Sequence, residues 1–175
     1  MNMCMQRIKI CKIKFLQMIL KRAVTLLILL LFYLNSYATT QAGDIIIMGK
    51  DTFALHTLPL KSYPQYEGIS GHLFGEQQAT FNTGCWRGYI AEWTVIDQEL
   101  YLTNIYNCDY PHGNKANLKI LFKAQCINNK VKATWVTGNL WIPKGELIHY
   151  DPNGGWPAYS GEVKIIVVAG RIQKQ

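Results

Sequence analysis

Acidic residues are missing before position 23, and glycine and proline are missing from the first 42 positions. The chain carries a formal net charge of +7, but Arg7, Lys9, Lys12, Lys14, Lys21 and Arg22 supply most of the excess. From Thr39 onward twelve basic residues face all eleven acidic ones, close to balance. A basic footprint for nucleic acid is thereby excluded from the folded part. Charged residues are scarce at 17% against 49% hydrophobic, which excludes disorder for the bulk of the chain. Long apolar runs with a 3.6-residue period are absent beyond the N-terminus, and so is any G-x-S-x-G elbow, H-E-x-x-H pair or Walker loop. Gly71-His72-Leu73-Phe74-Gly75 lacks the Lys and the helix of a phosphate loop. No Asn-x-Ser/Thr acceptor is present either.

What the N-terminus does contain is the three-part pattern of a secretory signal peptide. Lys21-Arg22 precede a twelve-residue apolar core, Ala23–Leu34, and Asn35-Ser36-Tyr37-Ala38 ends it with a small-x-small exit. The core partitions into the membrane while the positive flank stays cytoplasmic. Twelve residues fall short of the roughly 20 that a spanning helix requires. Cleavage is expected after Ala38, with Thr40-Gln41-Ala42 as a second position, and the membrane is then met only during export. No Cys follows the core, which disfavours a lipoprotein. Residues 1–17 read as an over-extended start, because Met18 would open a conventional leader.

Residues 39–175 read as one domain. All 14 Gly and 6 Pro fall here at turn-like intervals, between short alternating runs rich in Val, Ile, Thr, Trp and Tyr. Strands are expected at 44–48, 52–58, 87–96, 99–107, 118–124, 130–136, 139–142, 145–150 and 162–169. That number of short strands predicts a mostly β fold, an antiparallel β-sandwich or partly open barrel, behind the signal-peptide helix. The hairpin 87–107 is the best-defined unit. A two-residue turn at Asp97-Gln98 pairs Val95 with Leu100, Trp93 with Leu102, Ala91 with Asn104 and Tyr89 with Tyr106. Apart from Asn104 those residues form an apolar face, opposite Glu92, Thr94, Glu99, Tyr101 and Thr103, with Ile90 and Ile105. Asp-Gln signals a turn less strongly than Asp-Gly, which leaves a slip of one residue open. In 118–124, Leu118, Ile120 and Phe122 are expected inward; in 130–136, Val131, Ala133 and Trp135.

Three segments carry a resemblance: Gly49-Lys50…Pro59-Leu60…Tyr63; Cys85-Trp86-Arg87-Gly88-Tyr89-Ile90-Ala91-Glu92-Trp93 with Leu100-Tyr101-Leu102; and Ala133-Thr134-Trp135-Val136-Thr137-Gly138…Ile142-Pro143-Lys144-Gly145-Glu146. Together they resemble a family of small uncharacterised bacterial proteins with a W-R-G-Y-[IV]-A-x-W…L-Y-L hairpin and a later W-x-[ST]-G-x-L-x-I-P-x-G segment. The resemblance spans most of the mature chain and implies no activity, since that family has no established function. Its members tend to have a Tyr-x-His-x-Gly-like stretch where this chain has His149-Tyr150-Asp151-Pro152-Asn153-Gly154-Gly155, so the matching His is lost.

Cys85, Cys108 and Cys126 are the thiols beyond the leader. In an oxidising compartment two of them are expected to pair. The hairpin register puts Cys85 and Cys108 diagonally on one face, slightly too far apart unless a bulge at Gly84 or Gly88 closes the gap. A different pairing, or three reduced thiols, stays open. Cys108-Asp109-Tyr110-Pro111-His112 has zinc-compatible residue types but no zinc spacing, and the ordinary reading is a turn with an exposed histidine. No metal site, cofactor or catalytic residue is therefore expected. Glu92, Asp97, Glu99, Asp109 and Glu146 are the carboxylates from which a hydrolase pair would be drawn, with Glu92 expected on the outward, solvated face.

Aromatic residues are abundant, with five Trp and eight Tyr after residue 38. Trp93 and Trp135 read as core, and Trp141 is ambiguous. Trp156 and Tyr159, in an extended turn, read as exposed; with Tyr110 and His112 they form the candidate surface. Trp86 and Arg87 open the hairpin beside Cys85, and Arg87 is expected to cap the core against an acid or else to reach a ligand. The functional expectation is an exported, periplasmic or secreted, non-catalytic protein that binds an envelope protein through an exposed loop or sheet edge. Two alternatives stand beside it, glycan binding through exposed aromatics and a small envelope hydrolase.

Overall fold

The computed structural model of the protein describes residues 17–27, 39–75, 82–151 and 155–173. The chain divides into two compact units, Met1–Tyr37 and Ala38–Gln175. In the first unit residues 17–27 are helical. The rest of the expected leader, including the cleavage position after Ala38, lies outside the described residues. Among the described residues no helix is long and apolar enough to cross a membrane.

The second unit is a mixed sheet curled into a nearly closed barrel. Its strands are β1 (Asp44–Met48), β2 (Asp51–Leu55), β3 (Ile90–Ile96), β4 (Glu99–Tyr106), β5 (Cys126–Ile127), β6 (Lys130–Lys132), β7 (Gly138–His149), β8 (Ala158–Val168) and β9 (Arg171–Ile172). They run in the order β2-β1-β3-β4-β9-β8-β7, with β6 on β4 and β5 on β6. The ends of this path meet where the His56 amide donates to the Trp141 carbonyl at 2.8 Å and the Trp141 amide donates to Thr57 Oγ1 at 2.9 Å. The expected partly open barrel is what forms, except that β1 and β3 pair in parallel, Ile46 opposite Trp93.

Turn chemistry sets the hairpins. Asp97-Gln98 (φ 48° and 62°), Asn128-Asn129 (50° and 57°) and Ala169-Gly170 (47° and 77°) each turn through two left-handed residues, the type I′ pattern whose twist matches the flanking strands. Gly170 is required twice over, because a Cβ there would stand 2.6 Å from the Ala133 carbonyl oxygen.

The hairpin register agrees with expectation from the turn as far as Trp93–Leu102 and then shifts. Glu92 pairs with Asn104 and Ala91 with Ile105, so Thr103 is an extra residue in β4. The bulge turns Glu92 away from solvent, which corrects its expected outward position. Glu92 is buried, and its carboxylate accepts from Asn104 Nδ2 at 2.6 Å and from Thr103 Oγ1 at 3.1 Å. Ile105 moves into the core with it.

A second correction concerns 118–124. Leu118–Phe122 is a short helix (α2), followed by a 3-10 turn over Lys123–Gln125. Asn117 caps it, its Oδ1 accepting from the amides of Lys119 and Ile120. Leu118 and Phe122 lie on the buried face, whereas Ile120 is 71% exposed. Segment 130–136 is strand only to Lys132. Expected strands 139–142 and 145–150 are one long strand, β7, interrupted by a bulge after Lys144.

Trp93, Leu100, Leu102, Val131, Ile46 and Leu140 fill the barrel. Trp135 is half-buried at its edge, where its ring meets Tyr63 at 4.8 Å and its Nε1 donates to the Pro59 carbonyl at 3.1 Å. A short helix α1 (Tyr66–Ser70) follows the 3-10 turn Pro59–Ser62.

Gln98 holds a left-handed φ of 62° without glycine's freedom. Gln98→Gly is expected to stabilise the protein by about 0.5–1 kcal/mol, read as a higher denaturant midpoint at unchanged slope. A lowered midpoint would refute turn strain as the deciding term.

Candidate functional site

Asp44 opens β1 on the inward face it shares with Ile46, and it is fully buried. A carboxylate there needs donors. Arg87 supplies one, with Nη2 2.9 Å from Asp44 Oδ1; Trp93 Nε1 donates to Oδ2 at 3.1 Å, and the Ala91 amide to Oδ1 at 3.2 Å. Burial pushes the Asp44 carboxyl above the ordinary carboxylate range, and the Arg87 charge, the Trp93 indole and the Ala91 amide each pull it back down. The Arg87 side chain is only 8% exposed, also donates to the Ala42 carbonyl, and lies 5.2 Å from the Tyr89 ring centroid. Arg87 thus caps the core against an acid, as one of its two expected roles required.

The pair fixes the loop that carries Trp86. Gly84 donates to Asn82 Oδ1 at 3.0 Å, and Gly88, at φ 76°, donates back to the Cys85 carbonyl at 3.1 Å. This turn brings Cys85 within 5.9 Å, Cα to Cα, of Cys108, and the two form a disulfide. Among the described residues Cys126 is the free thiol, and it is half-buried. The N-terminal segment closes over the loop from the other side. Ala42 donates to the Gly84 carbonyl at 2.6 Å, Gln41 Nε2 donates to the Thr83 carbonyl, and Gln41 Oε1 accepts from the Trp86 amide, both at 3.0 Å. Between these anchors the Trp86 side chain projects outward, and the residue is 72% exposed.

A second indole, with its own support, lines the same cleft. Trp156 stacks on His56 with centroids 4.9 Å apart and planes inclined by 11°, and Tyr159 backs the same imidazole at 5.7 Å. Burial lowers the His56 pKa, opposed by the charge of Glu162. Gln41, Leu58, Lys61, Trp86, Arg87, Gly155 and Trp156 line one cleft of about 350 Å³.

The structure therefore brings together Trp86, Arg87 and Trp156 and sets Tyr159 behind them. Tyr159 and Trp156 are half-buried rather than exposed, because Tyr159 belongs to β8 opposite Leu147, not to a turn. Tyr110 and His112 stand apart from the cleft. Tyr110 packs edge-on against Tyr106 at 4.9 Å with its hydroxyl 3.5 Å from Glu92 Oε2, and burial followed by the Glu92 charge raises its pKa. His112 is exposed beyond the cis Tyr110–Pro111 bond. Cys108 is consumed by the disulfide, and among the described residues no group of three His, Cys, Asp or Glu is placed to hold a metal. Trp141 is exposed, with Lys164 over its ring at 6.0 Å. Asp44, Gln41, His56, Leu58 and Lys61 escaped the sequence reading. Only Asp44 left a signal there, as the residue two before Ile46 on the same strand face.

A wider apolar groove of about 540 Å³ runs beside α1 and α2, lined by Ile69, Ile120, Leu121 and Phe122. It holds none of the expected site residues. The chain matches no protein-family model, no curated protein and no solved structure.

Asp44→Ala strands the Arg87 guanidinium in the core and is expected to cost about 3–5 kcal/mol, with Asp44→Ala/Arg87→Met recovering most of it. Denaturant unfolding of both variants checks this; equal losses in the two would mean that the ion pair is not the cause. Replacing both Cys85 and Cys108 by Ser is expected to cost about 3 kcal/mol through the 23-residue loop they close. A loss below 1 kcal/mol in the same measurement would place the anchor elsewhere.

Proposed function

We propose that residues 39–175 are an exported, non-catalytic binding protein of the bacterial envelope, and that its ligand or partner enters the Trp86–Arg87–Trp156 cleft. One observation carries this reading: a 72% exposed indole is carried on backbone that a disulfide, a turn and the Gln41 side-chain amide hold in place. That investment is unnecessary for a solvated surface residue. Trp and Arg are the residues enriched at binding hot spots, and the cleft is at the small end of the ligand-site range.

Export rests on the three-part leader, supported by a disulfide of the kind that persists in oxidising compartments. The bacterial envelope rests on the resemblance of the hairpin motif. Between a loop site and a sheet edge, the loop site has the better support. β7 ends the strand path, yet Pro143, Lys144 and the bulge after Lys144 blunt its edge against strand addition. The hydrolase alternative finds little support in the carboxylates named for it. Glu92 is buried and bonded, Glu99 lies 2.6 Å from Lys132 Nζ, and Asp97, Asp109 and Glu146 are exposed. None of these five lines the cleft.

Retention of the purified chain on envelope fractions of its own host tests the reading. Trp86→Ala is expected to weaken retention about 30-fold or more, the scale of a hot-spot residue, while the melting temperature stays within about 2 °C because the residue is exposed. Undiminished retention of that variant would remove the cleft as the site.

A further inference from the structure

We infer that the protein has a second binding surface, on which α2 docks against an anionic phospholipid bilayer. The surface shares no lining residue with the Trp86 cleft. Leu118 and Phe122 form the buried face of α2, which leaves Ile120 outward at 71% exposure. Ile120 and Leu121 line the groove beside α1, and they also line a second groove of about 170 Å³ that includes Leu73 and Phe74. The two side chains are thus the wall common to both. Lysines flank that apolar ridge. Lys123 lines the first groove, Lys115 lines the second, and Lys119 precedes Ile120 in α2.

Charge identifies the occupant. Between Asp109 and Glu146 the chain has six lysines and no acid. Lys132 is answered by Glu99 at 2.6 Å. Lys115, Lys119 and Lys123 are exposed, and among the described residues no carboxylate pairs with them. No acid lines either groove among those residues, and Glu67 of α1 stands outside the lining. Apolar side chains set among cations are what an interfacial surface requires: the first sink below the headgroups while the second meet the phosphates. Shape favours lipid over an acidic protein. A side chain as exposed as Ile120 needs a matching pocket on a protein, whereas a bilayer yields to it without one. A helix of five residues with three lysines gives reversible attachment, not permanent insertion. The membrane is then met after export as well as during it.

The test is cosedimentation of the full chain, purified from its host, with two kinds of vesicle: phosphatidylcholine alone, and phosphatidylcholine mixed with phosphatidylglycerol. Amide hydrogen exchange of the bound chain locates the contact. The chain is expected to partition onto the mixed vesicles, to be released by high salt, and to gain protection over 117–124. Each lysine near an anionic surface is worth about fivefold in partitioning, so Lys119→Gln/Lys123→Gln is expected to lower it about 25-fold. Ile120→Ser is expected to lower it about tenfold. Its melting temperature should stay within about 2 °C, because the residue is exposed. Ile148 is 69% exposed and lines neither groove, so Ile148→Ser is expected to change nothing. Equal partitioning on the two vesicles, or none on either, would overturn the inference. Protection confined to other residues, the leader included, would overturn it too, as would a loss on Trp86→Ala that the α2 variants do not share. Both surfaces hold the chain to an envelope, so the Trp86 measurement is made on fractions stripped of lipid by detergent. The two readings then fail separately.

Discussion

A carboxylate buried at the first residue of a strand organises one side of this molecule. Asp44 has no exposure, and three donors are arranged to answer that burial. Arg87 comes from the loop before β3, and Trp93 and the Ala91 amide come from β3 itself. The parallel pairing of β1 with β3 places these donors beside Asp44, since Ile45 lies opposite Glu92 in that ladder. An antiparallel partner joined by a short turn would present other residues. The ion pair adds little net stability by itself, because desolvating two charges nearly cancels their attraction. What it does is tie together the N-terminal segment, β1, β3 and the 82–88 loop, since losing either partner would leave a buried charge alone.

Site and core share that constraint. Arg87 faces the core through Asp44 and also lines the cleft, while its neighbour Trp86 points the opposite way into solvent. Adjacent residues with opposite fates are what an extended backbone produces, and here a turn closed by the Cys85–Cys108 bridge and Gly88 produces the same result. The bulge at Thr103 belongs to the same region. It rotates the far end of the hairpin so that Glu92 is satisfied internally by Thr103 and Asn104, and it carries the chain toward Cys108.

How much of this was legible follows the range of the interactions. Asp97-Gln98 fixed the hairpin turn, and period-two alternation carried the register correctly to Trp93–Leu102, because both signals are local. The bulge had no local signature, and it reversed the reading of Glu92. In 118–124 the alternation of apolar residues and lysines imitated a strand. The deciding feature was Asn117, whose side chain caps two amides and starts a helix. The disulfide was legible because two cysteines flank one hairpin. Trp86, Arg87 and Trp156 were legible as unusual residues beside Gly and Pro. Their meeting was not, since it depends on β2 closing against β7 and on His56 lying under Trp156. Tyr110 and His112 shared the composition of a site but not its position.

The two indoles that line the cleft rest on independent supports. Trp86 is held by the bridge, the 85–88 turn and Gln41, while Trp156 is held by His56 and, behind it, Tyr159. Neither wall needs the other in order to be placed. The backbone at Trp86 and the ring of Trp156 are thus each placed by contacts within the protein. The polar groups of the cleft are only partly committed elsewhere, which leaves them hydrogen-bonding capacity without leaving them unsupported.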